Sequence, residues 1–128
     1  MQVQSSLALF ARIFEYLDLP VDIAESPSPV ALPEVRGDVR FSDVSFAYEP
    51  GAPTLIDVSL EVPAGSTLAV VGATGSGKTT LGYLLARLYD ADSGSITIDG
   101  VDVRDLSLAA LPSTVGVVSQ DPYLLHAS

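Results

Sequence analysis

Residues 70–81, VVGATGSGKTTL, hold the only lysine in a chain of 128 residues. Gly72-Ala73-Thr74-Gly75-Ser76-Gly77-Lys78-Thr79 fits the spacing G-x-x-x-x-G-K-[ST], a pattern that cradles phosphates when it joins a strand to a helix. The chemistry asks for these residue types. Glycines let the backbone wrap a polyphosphate with its N–H groups turned inward, and the start of a helix adds its positive dipole end. Lys78 supplies a compact charge for the β- and γ-phosphates, and the Thr79 hydroxyl is placed to ligate Mg²⁺. Thr80 caps or packs. A glycine-rich turn that happens to contain a lysine has the same composition, so the elements on either side must decide.

Those elements are legible. Thr67 to Val71 is a continuous apolar run, the pattern of a strand buried on both faces. After the loop, Leu81, Leu84, Leu85 and Leu88 recur at i, i+3, i+4 and i+7, which predicts a helix that DADSG stops. Upstream, Val39 and Phe41 alternate, then Val44, Phe46 and Tyr48 continue in the opposite phase, which places a bulge near Ser42 and Asp43. Val58, Leu60 and Val62 form a second strand closed by the turn PAG. Ile96 and Ile98 mark another, ending at the turn Asp99-Gly100. A short helical piece through DLSLAAL runs up to Pro112, and Val115 to Val118 reads as a further buried strand. The order, a β-meander, then strand, loop and helix, then more strands, is that of an α/β domain.

Two zones precede this domain. Val3, Leu7, Phe10, Phe14 and Leu17 make one apolar helical stripe, with Arg12, Glu15 and Asp18 off it, so residues 1–19 read as an amphipathic helix. Periodicity alone favours a helix lying on its own domain over one that docks a partner. Residues 20–37 carry Pro20, Pro27, Pro29 and Pro33 and read as an extended linker, leaving 38–128 for the domain with the loop.

Composition bounds the function. A formal charge of -10 disfavours a nucleic-acid partner, because that affinity is built from Lys and Arg that neutralise phosphates. With no cysteine, disulfides, thiolate nucleophiles and cysteine-based zinc sites are excluded together. The first residues lack the basic leader and cleavage site of a signal peptide, and no apolar run approaches the ~20 residues that span a bilayer. There is no asparagine and no second lysine, so an Asn-Lys-x-Asp guanine-reading motif is absent.

Around the loop the sequence resembles the ATP-binding cassette of ABC transporters, from about Val39 to the last residue. FSDVSFAYEP looks like the cassette's opening strands, with Tyr48 where the family stacks an aromatic ring on adenine. TLIDVSLEVPAGSTLAVVGATGSGKTTLGYLLARLYDADSGSITIDGVDV is similar to the cassette's next stretch, and VGVVSQDPYLL resembles the segment whose glutamine, here Gln120, lies between the Mg²⁺ and the coupling surface for the membrane domain. The resemblance implies a P-loop NTPase fold of ABC type with an N-terminal antiparallel β-subdomain. It implies ATP and Mg²⁺ as ligands, held by Tyr48, residues 72–80 and Gln120, with Thr79 and Gln120 toward the metal. SSLALFARIFEYLDLPVD resembles the junction at which exporters with fused membrane and ATP-binding domains pass from one to the other. The implied partners are therefore that membrane domain and a second cassette, at the cytoplasmic face of the inner membrane. His126 follows Gln120 too soon to be the family's γ-phosphate-sensing histidine.

The chain contains no L-S-G-G-Q signature and no apolar strand ending in Asp-Glu. In the family the signature completes the partner's site, and a glutamate beside the second acidic motif polarises the attacking water. These residues are therefore expected to be the front half of a cassette, truncated after the glutamine segment, able to bind nucleotide better than to turn it over. Two alternatives share the loop: another P-loop ATPase, of DNA-repair or chromosome type, and a non-catalytic module that holds nucleotide for structural reasons.

Overall fold

The computed structural model describes residues 2–19, 22–32 and 34–118. Its centre is a hairpin. Strand β1 (Val39–Glu49) runs antiparallel to β2 (Ala52–Val62), and β3 (Ser93–Ile98) pairs antiparallel on the other side of β1. The turn at Asp99-Gly100 then leads into the short β4 (Val101–Asp102), giving the order β2-β1-β3-β4. The expected antiparallel subdomain is therefore present.

The phase change in β1 is a bulge, as the sequence pattern requires. Asp43 has φ 50°, and the pairing with both neighbours shifts register across it. Phe41 and Val44, three positions apart, consequently both point inward and are 4% and 0% exposed. A strand without a bulge would send one of them to the opposite face. Gly94, on β3, makes this possible. It has φ 82°, and a Cβ there would come within 2.5 Å of the carbonyl oxygens of both Ser42 and Asp43.

The core joins this sheet to the helices and loops beside it. Phe41, Val44 and Phe46 of β1, Leu55 of β2 and Ile96 and Ile98 of β3 pack with Leu84, Val103, Leu106 and Leu111. Leu84 comes from helix α2 (Lys78–Leu85), whose Leu81 and Leu85 lie partly buried against the same cluster. The helix ends before DADSG, contrary to expectation. Arg87 turns left-handed at φ 52° and leaves Leu88 54% exposed. The Arg87 side chain is buried there, its Nε donating to Asp90 Oδ1 at 3.0 Å and its Nη2 to the Ala24 carbonyl at 2.8 Å.

Two expected strands do not form. Thr67–Val71 has no regular structure, with Leu68, Val70 and Val71 at 47%, 45% and 89% exposed. Val115–Val118 has none either, and Val118 is 98% exposed. A strand buried on both faces needs neighbours on each edge, and among the described residues no strand pairs with either segment. The helical piece around Pro112 is also displaced. Helix α3 (Leu111–Thr114) starts where the sequence suggested an end, because proline in a first turn gives up no intrahelical hydrogen bond.

Helix α1 (Gln2–Leu17) forms as its periodicity predicts, but three residues of its stripe are left uncovered. Phe10, Phe14 and Leu17 are 58%, 58% and 72% exposed. None of the described helices is long and apolar enough to cross a membrane. The described linker residues form no helix, and several of them are fastened to the domain. Val30 bridges Leu106 in parallel, accepting from Ser107 N at 3.0 Å and donating to the Asp105 carbonyl at 2.8 Å. Glu25 accepts from Leu108 N at 3.1 Å. The Asp99 carboxylate accepts from the backbone N–H groups of Arg36, Gly37 and Asp38 at 2.8, 3.2 and 2.9 Å.

Candidate nucleotide site

The loop from Gly72 to Ser76 is exposed. Gly77, buried, is the N-cap of α2 with φ 86°. A Cβ at this position would sit 2.7 Å from Leu55 Cδ2 and 3.1 Å from the Thr54 carbonyl oxygen. Only glycine lets the loop turn into the helix while resting directly on β2. Helix α2 opens at Lys78, and its first bond past the cap runs from Leu81 N to the Gly77 carbonyl at 3.2 Å. The N–H groups of Lys78, Thr79 and Thr80 therefore precede the intrahelical ladder, which is the arrangement that receives anions.

The lysine is drawn into the loop. Lys78 Nζ donates to the carbonyls of Gly72 at 3.0 Å and Ala73 at 2.7 Å and to Ser76 Oγ at 3.4 Å. A turn bond from Ser76 N to the Ala73 carbonyl, 3.2 Å, closes the same loop. An ammonium has three donors, and here all are directed at atoms of residues 72–76. The one cation of this segment thus lies at the centre of the loop instead of extending into solvent.

Thr79 is exposed on the first turn, and Thr80 is buried at 5%. The side chain of Thr80 packs, as one of the two expected roles had it, and it also meets Tyr48: the two hydroxyl oxygens are 3.1 Å apart. Tyr48, near the end of β1, is 48% exposed and stands edge-on to Phe46 at 4.9 Å and to Tyr89 at 5.1 Å between ring centroids. Tyr83 of α2 lies 6.4 Å from Tyr89. Sequence reasoning brought out Tyr48 but passed over Tyr89, Thr54 and Leu55, because nothing in their spacing connects them to the glycine loop. Gln120 lies outside the described residues. Among those described, no group of three or more His, Asp or Glu is placed to hold a metal ion.

The family model for ABC transporter matches residues 55–128. The chain belongs to the ABC transporter family. A solved bacterial Atm1-family ABC exporter with ATP bound has a TM-score of 0.87 and 36% identity to it, over 96% of this chain and 22% of that one. The ABC transporter ATP-binding protein YknV of Bacillus subtilis is 44% identical over 127 residues, 99% of this chain and 21% of its own length. A fatty acid ABC transporter ATP-binding/permease protein of Mycobacterium tuberculosis is 49% identical over 123 residues, 95% of this chain and 19% of its length. The chain thus spans about a fifth of the relatives it matches. It has the ABC-type P-loop fold of an exporter's ATP-binding domain.

Proposed function

We propose that the chain is the ATP-binding front half of an exporter cassette, in a protein that couples ATP binding and hydrolysis to transport across a membrane. One observation carries this reading: the first turn of α2 holds both the loop lysine, through Lys78, and the aromatic ring at the end of β1, through Thr80. A nucleotide needs a charged grip on its phosphates and a flat surface for its base, and a single rigid turn serves both.

The residues fit Mg-ATP. Lys78 exchanges the carbonyls of Gly72 and Ala73 for phosphate oxygens, with the loop and first-turn N–H groups beside it. Tyr48 offers its face to adenine. Mg²⁺ keeps several of its oxygens from phosphates and water, so one hydroxyl from Thr79 is a sufficient protein contribution in the absence of a carboxylate cluster, with Gln120 as the second candidate ligand. When bound, Mg²⁺ neutralises charge on the phosphates. The assignments of Gly72 to Thr80, Tyr48 and Gln120 are part of this proposal, as are the boundaries at 1–19, 20–37 and 38–128.

The partners in this reading are the membrane domain of the same transporter and a second cassette, with the site at the cytoplasmic face. The putative multidrug export ATP-binding/permease protein YgaD of Bacillus subtilis, 42% identical over 120 residues, supports the exporter class. Because the signature and the second acidic motif are not among these 128 residues, the chain by itself binds nucleotide without steady-state hydrolysis.

Lys78→Ala tests the site. Removal of a charge-assisted contact costs about 1.5 to 3 kcal/mol, roughly tenfold to over a hundredfold in Kd. Calorimetric titration with Mg-ATP should show that loss while the far-ultraviolet circular dichroism stays that of the parent. Unchanged affinity would remove the phosphate-loop assignment.

A further inference from the structure

Stacking on a base requires a π-face and makes no use of a phenol. The Tyr48 hydroxyl is nevertheless engaged, 3.1 Å from Thr80 Oγ1. Thr80 sits on the inner side of α2, 5% exposed, two positions after the lysine that grips the loop. Tyr48 itself is 48% exposed and lies one residue from the end of its strand, where backbone pairing constrains a side chain least. Its aromatic neighbours limit its tilt, with interplanar angles of 84° to Phe46 and 90° to Tyr89. Edge-on ring contacts accept a broad range of positions, whereas an O–H···O bond is directional and short.

We propose that Thr80 is a positioning residue for the base-stacking ring: its buried hydroxyl holds the Tyr48 phenol, so that β1 and the first turn of α2 present base and phosphate contacts at a fixed separation. The proposal rests on the reading of Tyr48 as the adenine platform. Helix α2 is anchored in the core through Leu84, 0% exposed, so the link ties the half-exposed ring to a rigid element. An ATP molecule then meets a ring already placed at the right distance from Lys78, and less ordering is left for the binding event.

The prediction separates base from phosphate. Mg-ATP and inorganic tripolyphosphate, which lacks a base, are titrated calorimetrically into the parent chain, Thr80→Val, Thr80→Ser, Tyr48→Phe and the double variant Tyr48→Phe/Thr80→Val. Thr80→Val should weaken ATP about two- to tenfold and leave tripolyphosphate unchanged, and Thr80→Ser should retain the parent affinity. Tyr48→Phe, a change at a half-exposed side chain, should reproduce the loss, and the double variant should add nothing further. Equal weakening of both ligands by Thr80→Val would assign its hydroxyl to the phosphates and overturn the proposal. Unchanged ATP affinity in Tyr48→Phe would overturn it as well. Lys78→Ala in the same series distinguishes the two levels: if it weakens both ligands while Tyr48→Phe weakens neither, only the link between Tyr48 and Thr80 is lost. If Lys78→Ala weakens neither, the nucleotide site itself is wrong.

Discussion

Phe41 and Val71 both stand in apolar, strand-like sequence, and one is 4% exposed while the other is 89% exposed. The difference is in what each segment has to pair with. Strand β1 finds β2 immediately after it in the chain and β3 on its other edge, so its hydrogen bonds and its inward side chains are satisfied together. Thr67–Val71 would have to enter a sheet with neighbours on both sides, and none of the described strands serves. Antiparallel pairs close through a short turn, whereas buried parallel strands depend on crossover connections and distant segments. The same amino-acid pattern therefore gives a core in one region and an uncovered apolar stretch in the other, even though the glycine loop begins where that stretch ends.

The largest expected effect comes from setting the two regions against each other directly. Leu84→Ala removes a fully buried side chain where α2 meets the sheet and should cost about 2 to 5 kcal/mol in urea denaturation. Val71→Ala should change stability by no more than about 0.5 kcal/mol. Similar losses at both positions would mean that the residues before the loop are as well packed as the hairpin.

A smaller effect tests whether the ordered region contributes to the site. Tyr48→Ala should weaken ATP and ADP alike, by about 1 to 3 kcal/mol if a base stacks on the ring, while Tyr48→Trp, which keeps a π-face but lacks the hydroxyl that meets Thr80, should lose less than Tyr48→Ala. Equal loss in both variants, measured by calorimetry, would reassign Tyr48 to strand packing.

The smallest effect concerns the linker end. Backbone N–H donation from Asp38, with further donation from Arg36 and Gly37 and the nearby Arg36 charge, outweighs desolvation and holds the Asp99 carboxyl below its ordinary value of 3.8. A depressed carboxylate pKa favours the folded contact above that value, and the contact is lost as pH falls through the lower folded value. The amide resonances of Arg36, Gly37 and Asp38 should therefore move together below pH 3.8, with the core unaffected, and Asp99→Asn should abolish that movement. Titration of these amides above 3.8 would contradict the anchoring.

Much of the fold was legible in the sequence wherever the signal was local. The bulge at Asp43, the turn at Asp99-Gly100, the strands around Val44, Val58 and Ile96 and the helix after Gly77 all arise from phase changes, turn residues or periodicity within a few positions. The end of α2 did not, because it depends on Arg87 adopting a left-handed conformation while its guanidinium bonds Ala24 and Asp90. The linker's prolines suggested extended backbone and gave no sign that Val30 would bridge Leu106.

The sequence by itself determined the glycine spacing and the single Lys78 on which the proposed phosphate chemistry rests, because backbone freedom and a lone positive charge are local properties. Only the tertiary structure decided that Gly77 rests on Leu55, that Lys78 turns back onto Gly72 and Ala73, and that Thr80 reaches Tyr48. Those contacts join residues from separate elements, and their distances are set by how a bulged hairpin and a short helix share one core.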